Sequence, residues 1–466
     1  MAENRSAIYA VSSVQSQKHV KQKRIRDVYG GNDTMRDGGR SYLPQFAQEQ
    51  NEAYEKRRSS AHMNNHLAPA IDGYVGRIFA KPVVLDSKDN ETEALKIWED
   101  IDLRGNNGDV FFQSVVRSAI LDGIAWVIVD YPKNTASNLR EERQRGIRPY
   151  CRYYEDMDVL FVESNDNGKI TEFRAKEYVN ERQDDGYSQE QKTYVRRLYI
   201  DDQTGAVCYQ LHLDDTVVEE GVMSYPSEYG LPIVPYITSR QQLNLLGDVT
   251  PPLLDAADQC IRLWQSISEQ DNCLTLARCP FLFASGWTPP DEKNGIWVAP
   301  NLSYWSDSPD ANIRWVEHSG AALEAGLADI TKLEADISAM LLKPLQNDKE
   351  RTAYESKSDD TRASSPLKRM ATAAKDMMEN VLKVIAHWSN QEDGGSVELI
   401  SNLEYQESNS AELTVLLNLY SAEALPLKTL LSEYKRRGVL ADDFDIDASI
   451  VASEAEGKVH LPTEKE

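Results

Sequence analysis

Two helical patterns separated by a proline constrain this chain more than any other feature. From Gly320 to Leu342, apolar residues recur at three- and four-residue steps: Leu323, Leu327, Ile330, Leu333, Ile337 and Met340/Leu341. That spacing places them on one face of a helix. The other face is acidic, with Glu324, Asp329, Glu334 and Asp336 against a single Lys332. Pro344 ends the pattern, because it lacks a backbone donor and clashes inside a helix. A mixed-charge break follows, and a second helical pattern runs from Thr352 to Trp388. Within it, Ser365-Pro366 predicts a kink or a fresh helix start capped by Ser365. The stripe Leu367, Met370, Ala374, Met377/Met378, Val381, Ile385 and Trp388 reads as ordinary core.

A matching helix lies upstream. Pro251-Pro252 opens it where missing donors do least harm. Leu253/Leu254, Ala257, Ile261, Trp264 and Ile267/Ser268 mark its buried face, which runs to about Cys273. Between the two helices, Pro280–Ala284, Ile296–Ala299 and Ile313–His318 read as a small β module of about 42 residues. Helix, β cap and returning helix make an antiparallel stalk with a knob at its end.

The rest of the chain alternates helical and extended patterns, so the fold class is α+β. Phe46 to Phe79 reads as helical, and Lys81-Pro82 ends it. His62 and His66 stand at i, i+4 there, which is metal-ligand spacing on a helix. Met63 occupies the place where a zincin motif needs Glu, so structural or surface histidines are the reading. Asp109–Leu121 is amphipathic, and Ile124–Val129 is a near-continuous apolar run typical of a buried strand. Strand-like pieces follow at Tyr150–Tyr154, Val159–Val162, Ile170–Ala175, Tyr194–Ile200, Val207–Leu213 and Thr216–Val222. Turn signals such as Asp166-Asn167-Gly168 separate them, which predicts an antiparallel β-rich domain. Residues 410–439 give two short helices around Pro426. The N-terminal run Lys18, Lys21, Lys23, Arg24 and Arg26 reads either as a solvated helix face or flexible arm, or as a contact for an acidic neighbouring subunit.

Composition narrows the function. The 466 residues predict roughly two to four domains of ~100–200 residues each. Lys+Arg 51 against Asp+Glu 75 gives a net charge of −24, so a lone chain would repel nucleic acid. No apolar run approaches the ~18–20 residues of a membrane span, and the first residues lack the apolar core of a signal peptide. The chain is therefore expected to be made and used in the cytoplasm. Cys151, Cys208, Cys260, Cys273 and Cys279 contain no CxxC pair, so reduced structural thiols are expected. No GxxxxGK[ST] loop, GxSxG elbow or HExxH appears. No catalytic residue, metal site or cofactor is called for, and the reading is that the chain is not an enzyme.

Several pieces, taken in order and spacing, resemble the portal proteins of tailed bacteriophages. They are Asp27-Val28-Tyr29-Gly30-Gly31, Arg40-Ser41-Tyr42-Leu43-Pro44 and Tyr54-Glu55-Lys56-Arg57, then Leu121-Asp122-Gly123 with Val127–Pro132. Arg148-Pro149-Tyr150, Pro251-Pro252-Leu253, Thr352-Ala353-Tyr354-Glu355 and Arg436–Leu440 complete the set. The resemblance spans most of the chain. It implies a homo-oligomeric ring of twelve subunits at one capsid vertex, with double-stranded DNA passing through its channel without sequence specificity. The implied partners are the major capsid protein, the terminase large subunit and a head–tail adaptor, with no membrane. The implied location is the virion, after assembly in the host cytoplasm. In the implied map, residues 1–45 are an N-terminal arm, 46–250 a wing, 251–275 and 318–342 the stem helices, and 276–317 the clip. Residues 343–352 are then the tunnel loop, 353–390 the long helix behind it and 391–466 a short crown.

Under that resemblance the charge makes sense. A channel that lets DNA slide should not bind it tightly, because each neutralised phosphate adds a salt-dependent affinity term. Lys343, Lys349 and Arg351 are the candidate DNA contacts, and Glu324, Asp329, Glu334 and Asp336 the candidate channel-lining or intersubunit residues. Solvated helix and loop charges are the plain alternative for each. Two other readings stay open: a metal-dependent DNA-processing enzyme, and a different head–tail adaptor ring, against which the length argues.

Overall fold

The computed structural model describes residues 7–86, 97–132, 141, 145–183, 186–239, 249–278, 281–286, 308–316, 320–341, 353–388, 391, 394–399, 410–422, 424–436, 440, 444 and 446–455. The chain is an α+β protein that divides into two compact units, Met1–Ser401 and Asn402–Glu466.

The first unit opens with helix α1 (Ser13–Gly30), capped by Ser12, whose hydroxyl accepts from the Gln15 amide. The basic run lies on this helix and turns into the fold. Lys18 is buried and paired with buried Asp156 at 3.3 Å. Arg26 grips Asp122 and Glu155, while Arg24 reaches Asp258 at 2.9 Å. The reading of this run as a solvated face is therefore corrected for Lys18, Arg24 and Arg26, which reach distant carboxylates of the same chain, whereas Lys23 stays exposed and pairs with Asp27 one turn on. Gln15 and Gln22 join the network by donating to Asp156, as does the Trp126 indole at 2.8 Å. The Asp156 amide donates to Asp122, which knits the two carboxylates together.

Helices α2 (Asn32–Asp37), α3 (Asn51–Ser60) and α4 (Leu67–Ile78) follow. Residues 61–66 are not helical, so His62 and His66 do not share a helix face as their spacing predicted. The Asn65 side chain explains the break: it accepts from the amides of Leu67 and Ala68 and starts α4 afresh. Strand β1 (Val84–Asp86) leads to α5 (Gly108–Asp122), capped by Asn107. Gly123 ends α5 in the left-handed region at φ 85°. A Cβ there would also stand 2.6 Å from Val249 and 3.1 Å from the Thr250 carbonyl, so only glycine fits.

Two antiparallel sheets form the β-rich part. Strand β2 (Ile124–Asp130) lies between β3 (Tyr150–Glu155) and β9 (Ile233–Ile237). A five-stranded meander runs β4 (Val159–Ser164), β5 (Ile170–Arg182), β6 (Gln189–Ile200), β7 (Val207–Leu213), β8 (Thr216–Val222). The sheets bury Trp126, Tyr154, Phe173, Leu198 and Val207 between them. Strands β5 and β6 run longer than the apolar pattern indicates, because Lys176–Arg182 pairs with β6 alone and is mostly polar, with Tyr178 and Val179 exposed.

After the sheets come α6 (Leu254–Ala277), the hairpin β10 (Phe281–Ser285) and β11 (Asn312–Val316), then α7 (Ala321–Leu341) and α8 (Ala353–Trp388). Pro366 sits inside α8, which continues through it, so the expected fresh start is corrected. The cost of an interior proline is ~3 kcal/mol. Burial of Leu367, Met370, Ala374, Met377, Met378 and Val381 offsets it, at roughly 1.5–3 kcal/mol per large side chain. Strand β12 (Ser396–Glu398) returns to pair with β1, so it belongs to the first unit although residues from 391 onward read as a crown.

The second unit holds α9 (Ser410–Ser421), α10 (Leu427–Arg436) and α11 (Ile446–Ala455). Leu430 of α10 is buried there, and Lys435 donates to the Phe444 carbonyl.

Candidate functional site

The stalk read from periodicity is present as a packed helix pair. Gln270 of α6 donates to the Leu323 carbonyl of α7, and Arg262 of α6 approaches Asp329 of α7 at 3.5 Å. As the number falls along α6 it rises along α7, so the helices are antiparallel. The hairpin pairs Phe281 with Val316 through Ser285 with Asn312, and it joins the two helix ends. At ~1.5 Å per residue, helices of 24 and 21 residues span about 36 and 32 Å.

Gly326 of α7 faces the end of the Gln270 side chain of α6. A Cβ at this position would lie 2.1 Å from the Gln270 side-chain oxygen. A lone glycine inside an apolar helical stripe is the sequence signal for such an approach, and periodicity alone passed over it. Below this point the stripe divides. Leu333, Ile337 and Leu341 are buried, whereas Leu327 is 60% and Met340 46% exposed. Of the seven apolar residues on this face, three are buried within one chain.

The acidic candidates lie on the open side. Glu324, Asp329 and Asp336 are exposed, and Asp329 has Arg262 nearby. Glu334 differs: it is half-buried and accepts from the Asn64 side chain at 3.3 Å. The structure therefore brings Glu334 toward the α3–α4 connection and leaves the other three outward. Lys343, Lys349 and Arg351 lie outside the described residues.

Two tyrosine hydroxyls hold α7 and α8 against the rest of the unit. The Tyr74 hydroxyl of α4 donates to the Leu341 carbonyl at 2.6 Å, holding the last turn of α7. The Tyr236 hydroxyl of β9 donates to the Met370 carbonyl, holding α8 against the sheet. Burial pushes the Tyr74 hydroxyl up to about 12, against the pull of Arg77, so it stays a donor. Farther along α8, His387 stacks on Tyr229 at 3.8 Å between centroids and faces the Tyr225 hydroxyl at 3.2 Å. Burial holds its pKa below the usual imidazole range, with Lys383 adding to the effect and Glu228 opposing it.

Sequence reading missed the buried carboxylate pair under α1. Burial pushes Asp122 up to about 6, against the pull of Arg26. Asp122 and Asp156 are 34 residues apart and their α1 partners stand 96 to 141 residues away, so no local pattern carries that signal. Among the described residues no three His, Cys, Asp or Glu side chains gather closely enough to hold a metal ion. No helix of the described residues is long and apolar enough to cross a membrane.

A family model described as a domain of unknown function (DUF4055) matches residues 252–389, the span from the opening of α6 to the end of α8. No curated protein matches the sequence. Among solved structures, the chain is similar to one in the virion of a native gene transfer agent particle, at 11% identity and a TM-score of 0.42, covering 87% of this chain and 98% of that one. It is also similar to a chain in the neck of an empty gene transfer agent particle, at 12% identity and a TM-score of 0.44, covering 86% and 98%.

Proposed function

We propose that the protein is a portal subunit: one member of a ring through which double-stranded DNA enters and leaves a phage-like capsid. The observation that carries this reading is the unit from α6 to α8. An antiparallel helix pair carries a β hairpin at its far end, and Tyr74 and Tyr236 tie its returning helix and the long helix next in sequence to the rest of the first unit. Such a unit transmits position and presents a surface, and its chemistry is mechanical. The half-covered stripe of α7, with Leu327 and Met340 open, calls for a neighbouring copy. A heterologous contact repeated around an axis closes into a ring.

In this proposal residues 251–275 and 318–342 are the stem, 276–317 the clip that meets the terminase and later the head–tail adaptor, and 46–250 the wing. Residues 343–352 are the loop at the narrowing, and 391–466 the crown. Glu324, Asp329 and Asp336 line the channel or face the next subunit, so that DNA slides without being held. Lys343, Lys349 and Arg351 touch phosphates transiently. Twelve subunits, the capsid vertex as location and the absence of enzymatic activity belong to the same proposal.

The test is a charge reversal, Lys343→Glu with Lys349→Glu, in particles assembled with the full chain. DNA packaging or retention falls while rings still form. Unchanged packaging and retention would remove the assigned role of these lysines.

A further inference from the structure

The apolar grip on the helix pair stops partway along it. On α6, Ala256, Ala257, Cys260, Leu263 and Trp264 are buried, and among the described residues beyond Ser268 none is. On α7, Leu333, Ile337 and Leu341 are buried, and among the described residues nearer the hairpin none is. The half that carries β10 and β11 therefore stands outside the core. Gln270 and Arg262 tie its two helices to each other, so the pair moves as one.

The connection between α3 and α4, residues 61–66, reaches out to this half. It is extended where α3 ends, with Ala61 at φ −60° and ψ 138°. Side chains of an extended segment alternate in direction. Ala61 and Met63 accordingly turn into the core, at 2% and 4% exposure, while His62 and Asn64 turn out. The inner side is fastened to the body. Arg36 donates to the Ala61 carbonyl, Asn32 accepts from the Met63 amide, and Asn65 donates to the carbonyls of Val28 and Tyr29. The outer side meets both helices of the pair. His62 Nδ1 stands 3.6 Å from the Asp271 carboxylate, past the buried stretch of α6. Asn64 donates to Glu334 at 3.3 Å, where the buried stretch of α7 ends.

We infer that residues 61–66 are a brace: a strut fixed to the body that sets the lean of the helix pair, and with it the position of the hairpin. Close packing holds the root of the pair over a broad area and resists displacement. Contacts between exposed polar groups are individually weak, and a region held by them opens before the core does. The distal half is thus the part that leans when the strut lets go. The brace belongs to a single chain and stands whether or not copies form a ring.

Pulsed dipolar spectroscopy between two spin labels reads the lean. The labels go on Lys56→Cys of α3 and Asp310→Cys before β11, both exposed positions, in the full chain carrying Cys273→Ser and Cys279→Ser and diluted into unlabelled chain. One narrow distance distribution is expected. His62→Ala with Asn64→Ala removes the strut from the body side, and Asp271→Ala with Glu334→Ala removes it from the side of the helix pair. Each double variant should widen the distribution at least about twofold. An unchanged denaturation profile checks that the variants fold, and if one does not, the other decides alone. Between two folded variants, widening in neither or in only one overturns the brace.

Discussion

Gly326→Ala tests the closeness of the stem helices. In an exposed helix this change would stabilise by ~1 kcal/mol, because glycine is the poorer helix former by that amount. Here the new Cβ would stand 2.1 Å from the Gln270 side-chain oxygen. Gln270 must swing away, which breaks its 2.9 Å bond to the Leu323 carbonyl. Loss of one such bond costs about 0.5–1.5 kcal/mol, and an off-rotamer side chain costs about 0.5–1.5 kcal/mol more. Set against the propensity gain, the expected result is a destabilisation of about 0–2 kcal/mol. The double variant Gly326→Ala with Gln270→Ala keeps the propensity gain and removes the obstacle. A double-mutant cycle in urea therefore yields a coupling of about 1–3 kcal/mol. A single variant that gains ~1 kcal/mol, with no coupling to position 270, refutes the contact between Gly326 and the Gln270 side chain.

Two acid–base predictions follow from buried groups. Asp122 is raised in the folded chain to about 6, above its ordinary value near 3.9, so the folded state holds the extra proton. This site adds stability as pH falls from about 6 to about 4, opposite to the usual carboxylate. Asp122→Asn removes up to ~1.4 kcal/mol per pH unit of that slope in urea titrations, and equal slopes in both chains contradict the assignment. His387 is lowered, so its neutral form is favoured on folding and its stabilisation is lost as pH falls below about 6.5. An NMR titration of its ring should show a midpoint below 6.5, and a midpoint at or above it contradicts burial as the dominant influence on this ring.

Where local periodicity decides structure, the sequence was readable. Helices α6 and α7 begin and end within a few residues of their predicted bounds, because Pro251-Pro252 and Pro344 are covalent punctuation. The strands β2 to β8 fall where apolar runs and turn residues put them. What was hidden depends on distant partners. The polar face of α1 looked solvated, yet Lys18, Gln15 and Gln22 are buried because Asp156 waits more than a hundred residues away. Pro366 looked like a boundary, and packing downstream of it carries the helix through. The acidic face of α7 was legible as a face, but Glu334 turns to Asn64 while its neighbours stay outward.

The claim that this chain closes into a DNA conduit is tested most directly by its assembled shape. Negative-stain images of the purified full chain, over a range of salt and protein concentration, should show rings with a central hole and near-twelvefold symmetry. Particles that remain single subunits or compact clusters without a hole under every condition would contradict it.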